Sequence, residues 1–409
     1  MCFAAVPFPP STAVYPRAKV VEDYLDSFVS RFNLSPNIRL NTTVERLERD
    51  ETNSFWRVRS SGPGYTNEWL RFDKVAVANG HYRFPRLPDI PGSSEWLAAG
   101  KAAHSACYRR PADSRNTLIV GGNFSGRDIV TELASPPSTS VVYLSVREPP
   151  LNPLRHSKVQ YRGRVVEFLA IDGNDKGKVR YEDGTEDEID SCILATGYKM
   201  TYPFLSDSLI QTSLPPTPIL QIPKSKLHNS TYHMFPLLKH LFPATDKYPP
   251  TSLAFIGLLT RTTFPPLAEA QSHAIVKLWT SPELLDVDSI FDAIISRYER
   301  LKDNLKGDEF QAARRYFMVD PPAQYQYRAE CYTLAYGDDE KLKKYIAPDW
   351  HKEMYLNNSL LRAEWEEMER TGEAKDSVKG VGEVSRDEWK ELMCGLLERA
   401  LEKRDTRDQ

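Results

Sequence analysis

The sequence predicts an α/β protein that contains a βαβ unit followed by irregular segments and a helical C-terminal part. A strand, a glycine turn, a helix and a second strand follow one another in NTLIV, GGNFSG, RDIVTELA and SVVYLSVR, from Asn116 onward. From Pro266 the apolar residues recur at helical spacing, and charge-mixed helices are expected after Asp338. The chain length of 409 residues allows two or three domains around a large core.

The segment before the βαβ unit predicts one helix and several short strands. Apolar residues lie at helical spacing between Tyr15 and Leu34. β-type runs follow, the last of which ends in a glycine turn, at Ile38–Leu40, Thr43–Leu47, Phe55–Arg59 and Leu70–Ala78. A proline-rich stretch, Pro85–Pro91, is typical of a linker.

The segment after the βαβ unit predicts a hairpin over Val165–Ile189, with turns at Gly173 and Gly184. The strand SCILATGY then closes this region, and residues 201–265 are proline-rich and irregular.

Composition excludes several classes of protein. The net charge of −3 argues against a nucleic-acid-binding protein. Five widely spaced cysteines without a CxxC pair exclude a zinc knuckle or a CxxC redox centre and predict no metal site. No apolar run is long enough to span a bilayer, and prolines interrupt the N-terminus where a signal helix would lie. We therefore expect a cytoplasmic protein without a membrane span.

The glycine turn GGNFSG predicts a pyrophosphate-binding site. Gly121 permits the tight turn after the strand, and Gly126 lets the helix pack closely on it. The exposed N–H groups and the positive end of the helix, beside Asn123 and Ser125, favour an anion. Asn123 stands where the second glycine of GxGxxG is usual, with Gly122 one position earlier. A plain strand-to-helix turn is the alternative.

The end of the next strand predicts NADP rather than NAD. At the end of this strand, dinucleotide-binding proteins that use NAD normally have an acid that binds the ribose. Here the strand end has Ser145 and Arg147, and no acid occurs before Glu148. An arginine can bind a 2′-phosphate that a carboxylate would repel. The alternative is that Arg147 is a solvated charge at the end of a strand.

Four stretches of the sequence resemble flavin-containing monooxygenases. WLAAGKAAHSACYRR is similar to their identifying motif FxGxxxHSxxYR, with Ala98 in place of the usual Phe. Tyr108 in this motif separates the chain from Baeyer–Villiger enzymes, which usually have Trp or Pro there. The other three stretches are ILATGY, VANGHY with PRLPDIPG, and LAFIGLLTRTTFPPLAEAQSHA. They occur in family order over roughly residues 1–330, and GGNFSG resembles fungal members.

The resemblance implies a flavoprotein with two dinucleotide-binding domains, in which a Rossmann-like NADP domain is inserted into an FAD domain. The implied domains are residues 1–97 and 200–335 for FAD, 98–199 for NADP, and 336–409 as a helical tail. FAD and NADP are the implied cofactors.

The resemblance also implies further cofactor-binding residues, namely Asn79, His104, Thr196, Tyr198 and Gln271. Each has a structural alternative. His104 is equally well explained as a hydrogen-bonded linker histidine, Thr196 and Tyr198 as the end of a strand, and Gln271 as a helix-capping amide. Cys107 is expected to be an inert, buried thiol.

The activity implied is insertion of one oxygen atom from O2 into a nitrogen or sulfur centre of a small molecule through a hydroperoxyflavin. No catalytic side chain is identified, because the chemistry belongs to the flavin. A homodimer is compatible with the sequence. Two alternatives stay open: a Baeyer–Villiger monooxygenase, and an NADP-binding flavoprotein remnant without catalysis.

The N-terminal residues carry a separate expectation. MCFAAVPFP resembles an internal stretch of the family, and no strand–glycine–helix pattern precedes Gly62. The sequence therefore predicts that the FAD-binding βαβ segment is missing and that this chain binds FAD poorly.

Overall fold

A computed structural model describes residues 2–50, 52, 54–64, 68–111, 115–148, 153–154, 156–171, 177–213, 225–337 and 339–407. Eleven α-helices lie in this described part: α1 Ala18–Arg31, α2 Ser93–Ala98, α3 Phe124–Ala134, α4 Phe264–Thr280, α5 Val287–Asn304, α6 Glu309–Arg315, α7 Pro321–Tyr336, α8 Asp349–Leu356, α9 Asn358–Thr371, α10 Ala374–Ser377 and α11 Asp387–Arg407.

The strands of the described residues are short, and most have five residues or fewer. They are β1 Thr43–Asp50, β2 Phe55–Ser61, β3 Trp69–Phe72, β4 Val75–Val77, β5 Phe84–Pro85, β6 Ala102–His104, β7 Asn116–Val120, β8 Val141–Ser145, β9 Val159–Arg162, β10 Val165–Phe168, β11 Gly177–Tyr181, β12 Glu186–Ile189, β13 Ser191–Leu194, β14 Tyr198–Lys199, β15 Ile210–Thr212, β16 Leu227–Asn229, β17 Met234–Phe235, β18 Leu237–Leu238, β19 Phe242–Pro243 and β20 Leu253–Phe255.

The chain forms two compact units. Unit 2 comprises residues 81–201, and unit 1 comprises residues 1–80 and 202–409. Both mix helices with sheets, which confirms the α/β prediction.

Unit 2 is built on a parallel sheet of five strands in the order β6-β13-β7-β8-β9. β7 is buried at its centre, and α3 packs on it through Ile129, Val130 and Leu133. The predicted strand, glycine turn, helix and strand are therefore confirmed as β7, α3 and β8.

A second core of unit 2 lies between the parallel sheet and an antiparallel sheet of β10, β11 and β12. Trp96 of α2, Phe168 and Tyr181 fill it. The predicted hairpin over Val165–Ile189 is thus a three-stranded sheet with a turn at Gly184, whose φ is +83°. Gly173 lies outside the described residues.

Unit 1 contains an antiparallel sheet of β1, β2 and β3 and a parallel pair, β4 and β20. The hairpin of β18 and β19 joins the pair through the hydrogen bond from Phe255 N to Leu241 O. Helices α4 to α7 follow β20 in the chain. Helices α8 to α11 form their own core around Trp365 and Met368, against which Val14 and Tyr15 also pack.

Two strand predictions in unit 1 are wrong. Ile38–Leu40 is not a strand: it follows a 3-10 turn at Ser35–Asn37, Leu40 is 77% exposed, and the sheets of the described residues do not include this segment. Leu70–Ala78 is not one strand, because the chain turns at Asp73 and its two halves enter different sheets as β3 and β4. The apolar pattern of the sequence does not show where one strand ends and the next begins within such a run.

No helix among the described residues combines the length and the apolar character that crossing a bilayer requires.

Candidate functional site

The candidate site in unit 2 lies at the carboxyl ends of β7 and β13. The chain passes from β7 to β8 on one side, whereas β13 pairs with the other side of β7. The direction of the strand order therefore changes between β7 and β13. In open parallel sheets the ligand binds in the crevice at such a switch point.

Two glycines make this crevice narrow. Gly121 follows β7 with a φ of +109°, which side chains with a Cβ rarely adopt, and a Cβ there would lie 2.5 Å from the carbonyl oxygen of Ala195. A Cβ on Gly126 would lie 1.9 Å from the carbonyl oxygen of Gly121. The first turn of α3 therefore packs directly on the end of β7, and only glycine permits this approach.

The N-terminus of α3 is open to a ligand. Asn123 is the N-cap residue, but no side chain among the described residues caps the helix there, and the first turn carries no acid. Asn123 and Ser125 are exposed. The free N–H groups and the helix dipole together favour a bound anion. Gly122 is close to the next strand, because a Cβ there would lie 2.5 Å from Cγ1 of Val146.

Ser145 and Arg147 differ in what they can reach. Ser145 is buried at the end of β8, and its hydroxyl donates to the carbonyl oxygen of Gly163 at 2.9 Å. Arg147 is exposed two residues later and has no hydrogen bond or ion pair with any residue that the structure describes. Ser145 therefore anchors the strand end, whereas the side chain of Arg147 is exposed just beyond it.

His104 fastens the end of β6 to the turn after β13. It is 4% exposed; its Nε2 bonds to the carbonyl oxygen of Gly197 at 2.9 Å, and its Nδ1 accepts from the backbone N–H of Ala106 at 3.1 Å. Since Nδ1 accepts, the proton is on Nε2. Burial lowers the pKa of this imidazole, and the bond to Gly197 opposes that shift. The imidazole is therefore neutral, and both of its nitrogens form hydrogen bonds with backbone groups. Neither nitrogen is left for proton transfer.

Thr196 and Tyr198 bind the segment around β5. The hydroxyl of Thr196 donates to the carbonyl oxygen of Arg86, and the backbone N–H of Arg86 donates to Gly197 O at 2.9 Å. The guanidinium of Arg86 also donates to Tyr198 O at 3.2 Å. The ring of Tyr198 packs edge-on against His104, with centroids 5.1 Å apart. This network holds the segment around β5 to the turn after β13, and nothing in the sequence had pointed to Arg86.

Tyr108 connects the same region to α3. Its hydroxyl donates to Oε2 of Glu132 at 2.7 Å, and burial and the carboxylate raise the pKa of the phenol. The identifying motif thus supports the helix that shapes the crevice. Cys107 is exposed rather than buried, because it ends a 3-10 turn on the surface.

Asn79 and Gln271 belong to unit 1, where they are near the carboxyl ends of β4 and β20. Val77 and Phe255 pair in register, so Asn79 and Gly257 each follow their strand by two residues. The backbone N–H of Gly257 donates to Oε1 of Gln271 at 2.9 Å. The two predicted residues are therefore placed at one edge of the parallel pair, and the other predicted residues are in unit 2.

Gln271 is completely buried in the middle of α4, so it does not cap the helix. Its Nε2 donates to the hydroxyl of Tyr327 at 3.0 Å, and that hydroxyl donates to the carbonyl oxygen of Lys239 at 2.8 Å. A hydrogen-bonded chain thus runs from Gly257 through α4 and α7 to the β18–β19 hairpin. Tyr327 was missed because 56 residues separate it from Gln271.

Among the described residues, no group of His, Cys, Asp and Glu side chains could hold a metal ion.

Comparison with known proteins places this arrangement among flavoprotein oxidoreductases. A family model described as pyridine nucleotide-disulphide oxidoreductase matches residues 5–222, and one described as flavin-binding monooxygenase-like matches residues 152–316. Members of these families use FAD and NADP(H).

Similar curated proteins include two flavin-containing monooxygenases of Arabidopsis thaliana. FMO GS-OX3 is 31% identical over 255 residues, covering 60% of this chain and 48% of its own length. FMO GS-OX-like 9 is 29% identical over 297 residues, covering 71% and 59%. The chain therefore spans about half to three fifths of the length of these relatives.

Two solved structures share the fold. S-allyl-L-cysteine S-oxygenase from Allium sativum has a TM-score of 0.68 at 23% identity and covers 98% of this chain and 81% of its own. Tmm from Pelagibacter sp. strain HTCC7211 has a TM-score of 0.62 at 20% identity, covering 86% and 73%. This likeness confirms the predicted fold class, that of flavoproteins with two dinucleotide-binding domains.

Proposed function

This chain belongs to the flavin-containing monooxygenase family and to the wider pyridine nucleotide-disulphide oxidoreductase family, and on that premise we propose that its protein is an NADPH- and FAD-dependent monooxygenase. The proposed reaction inserts one oxygen atom from O2 into a nitrogen or sulfur centre of a small molecule. The family match supports the reaction class, and the crevice in unit 2 supports the use of a nicotinamide dinucleotide.

The single observation that carries the proposal is the glycine cradle at the switch point of unit 2. Gly121 and Gly126 leave no space for a Cβ, and the uncapped start of α3 faces the same crevice. A pyrophosphate fits these requirements, since it needs close backbone approach and N–H donors. We assign Gly121, Gly122, Asn123, Ser125 and Gly126 to this role.

Arg147 supports NADPH as the nucleotide. It is exposed beside the crevice, it has no carboxylate partner among the described residues, and no acid lies between β8 and Glu148. A guanidinium can hold a 2′-phosphate through charge-assisted hydrogen bonds. NADH lacks that phosphate and would leave the arginine in water.

The residues of unit 1 fit FAD only in part. Its described parallel strands are β4 and β20, with Asn79 and Gly257 at their carboxyl edge. Before β4, the described residues contain no strand, glycine turn and helix comparable to those of unit 2. We propose that Asn79 and the Gly257 turn contact the flavin, and we derive no reaction step from them.

The roles of this chain's own residues follow from the geometry. When bound, the flavin supplies the oxygen chemistry and NADPH supplies the reducing equivalents. His104 and Thr196 hold the segment around β5 and the turn after β13 and carry no proton in the reaction, since their side-chain polar atoms bind backbone groups. Tyr198 adds its backbone carbonyl oxygen and its ring to this network. The described residues of the crevice contribute to the reaction by orienting the nucleotide.

Oxygen consumption tests the proposal. Purified protein with added FAD and NADPH should consume O2 faster when a thioether or a tertiary amine is present, and should form the S-oxide or N-oxide. Catalase identifies any uptake that yields only hydrogen peroxide. Peroxide as the sole product with every amine and thioether would contradict the proposal, and ester formation from cyclohexanone would favour the Baeyer–Villiger alternative. NADPH binding without any uptake would favour a remnant without catalysis.

A further inference from the structure

A cavity in unit 1 is lined by none of the residues assigned above to NADPH, and its lining indicates a second ligand. It has a volume of about 180 Å³ and lies between the β18–β19 hairpin, α5 and α7. The hairpin contributes Lys239 and His240, and α5 contributes Arg297. Further polar groups of the wall belong to Tyr316, Tyr327, Glu330 and Cys331. These residues are far apart in the sequence, which alone gives no sign of the cavity.

The polar part of the wall has an excess of positive charge. Neither Arg297 nor Lys239 forms an ion pair with any described carboxylate. Glu330 is the acid of the wall, and its Oε1 accepts a hydrogen bond from Gln326 at 3.1 Å. Two cations and one carboxylate are thus among the lining residues, with Arg297 and Glu330 exposed at the surface, so the lining carries a net positive charge while His240 is neutral. An anionic ligand would compensate this charge.

His240 is held in one tautomer by its neighbour. Arg297 donates from Nη1 to Nε2 of His240, and a guanidinium has only donors, so Nε2 must accept. The ring proton is therefore on Nδ1. That atom is buried without a hydrogen-bond partner among the described residues, in a side chain that is 6% exposed. Burial and the charge of Arg297 lower the pKa of His240 to about 3, so the ring stays neutral.

Tyr316 adds a second donor to the same wall. It is 1% exposed, its hydroxyl has no partner in the described part of the chain, and its ring lies under the guanidinium of Arg297 at 5.5 Å. The ring centroids of Tyr316 and His240 are 5.5 Å apart. Buried donors in native proteins nearly always have an acceptor. Two unpaired buried donors beside two cations are suited to oxygen acceptors that carry negative charge.

Aliphatic side chains make up much of the remaining wall. Leu237, Ile290 and Ile294 are among its residues. The volume somewhat exceeds the ~150 Å³ of an engineered apolar cavity that binds benzene. The ligand therefore has an apolar part of about one ring and one acidic end.

We propose that this cavity binds small monocarboxylates with a ring-sized or short-chain hydrocarbon part. The carboxylate accepts hydrogen bonds from Arg297, and the hydrocarbon part lies against the α5 side chains. The donors of His240 and Tyr316 gain acceptor oxygens at the same time. This binding requires neither flavin nor NADPH, so its failure would leave the proposed monooxygenase function untouched.

Isothermal titration of the chain with sodium benzoate, with hexanoate as a second probe, tests the proposal. Benzoate should bind at least about tenfold more tightly than uncharged benzamide, the difference that one charged hydrogen bond provides. Arg297→Gln should weaken benzoate binding by about tenfold or more, and Arg297→Lys by less. Arg300→Gln on the same helix should bind like the wild type, because Arg300 does not line the cavity.

Glu330→Gln supplies a test in the opposite direction. Removing the one carboxylate of the wall should strengthen benzoate binding by about two- to fivefold at low salt, which a purely structural defect would not do. Equal affinity for benzoate and benzamide, unchanged affinity in a folded Arg297→Gln, or no binding of either probe at about 10 mM would overturn the proposal.

Discussion

The buried amide of Gln271 donates to the hydroxyl of Tyr327 at 3.0 Å, and this bond links α4 to α7 in the middle of unit 1. On one side the amide oxygen of Gln271 accepts from Gly257, the turn that follows β20. On the other side the tyrosine donates to the carbonyl oxygen of Lys239. Four segments of unit 1 are thus held by one largely buried polar chain, and each member depends on its neighbours.

Tyr327→Phe should therefore destabilise unit 1. The substitution leaves Nε2 of Gln271 without its acceptor and the carbonyl oxygen of Lys239 without its donor, both at partly buried positions. A loss of about 1–3 kcal/mol in the free energy of unfolding is expected from such unsatisfied groups. Urea denaturation followed by circular dichroism measures it.

Tyr355→Phe is the matched control for this prediction. Its hydroxyl donates to Arg261 O at 2.8 Å, but the bond is exposed and water can replace it. The double substitution Gln271→Leu with Tyr327→Phe should cost less than the sum of the single changes. Additive costs, or an effect of Tyr355→Phe as large as that of Tyr327→Phe, would disprove the coupling.

Local sequence predicted the crevice of unit 2 better than the contacts of unit 1. The strand, glycine turn and helix around Gly121 and Gly126 are contiguous in the sequence. The spacing of the two glycines therefore predicts how closely the helix packs on the strand. Gln271 was predicted as a cofactor-binding residue or a helix cap, and no local pattern reveals a partner 56 residues away. The role of His104 was equally open, since its acceptor, Gly197, is 93 residues distant.

Gly126→Ala should disrupt the crevice. The new Cβ would lie 1.9 Å from the backbone oxygen of Gly121, so α3 must move away from β7. We expect loss of measurable NADPH binding in a fluorescence titration and a lower melting temperature. The cause is a clash of backbone with a methyl group, which no side-chain rotation relieves.

Gly395→Ala in α11 is the control, because a Cβ there meets nothing within 4 Å. It should leave the free energy of unfolding unchanged or raise it by about 0.5–1 kcal/mol, because alanine has a higher helix propensity than glycine. Unchanged NADPH affinity in Gly126→Ala would refute the packing argument.

Acid should destabilise unit 1 through its buried histidines. Burial lowers the pKa of His233 and of His240 to about 3, from 6.5 when exposed. Below pH 6.5 the unfolded chain binds protons that the folded chain does not. The stability present above that pH is therefore lost as the pH falls from 6.5 toward 3, by about 1.4 kcal/mol per pH unit for each histidine.

His240→Asn isolates the contribution of one histidine to the pH dependence of stability. Asparagine tolerates the positive φ of +58° at this position and does not titrate. The variant should show a shallower decline of the urea midpoint between pH 6.5 and 4.5 than the wild type. His156→Asn, at an exposed site of unit 2, should leave the decline unchanged. Identical slopes for the wild type and His240→Asn would contradict the argument.

The preference for NADPH over NADH is the most direct test of the account, because it depends on the crevice and on Arg147 alone. Titration of the chain with both nucleotides should give clearly tighter binding of NADPH. Arg147→Ala should weaken NADPH binding by about 1.5–3 kcal/mol and leave NADH binding unchanged. Arg164→Ala, an exposed arginine of the same unit, should change neither affinity. Equal affinity for the two nucleotides in the wild type, or an Arg147→Ala variant that keeps its preference, would contradict the account.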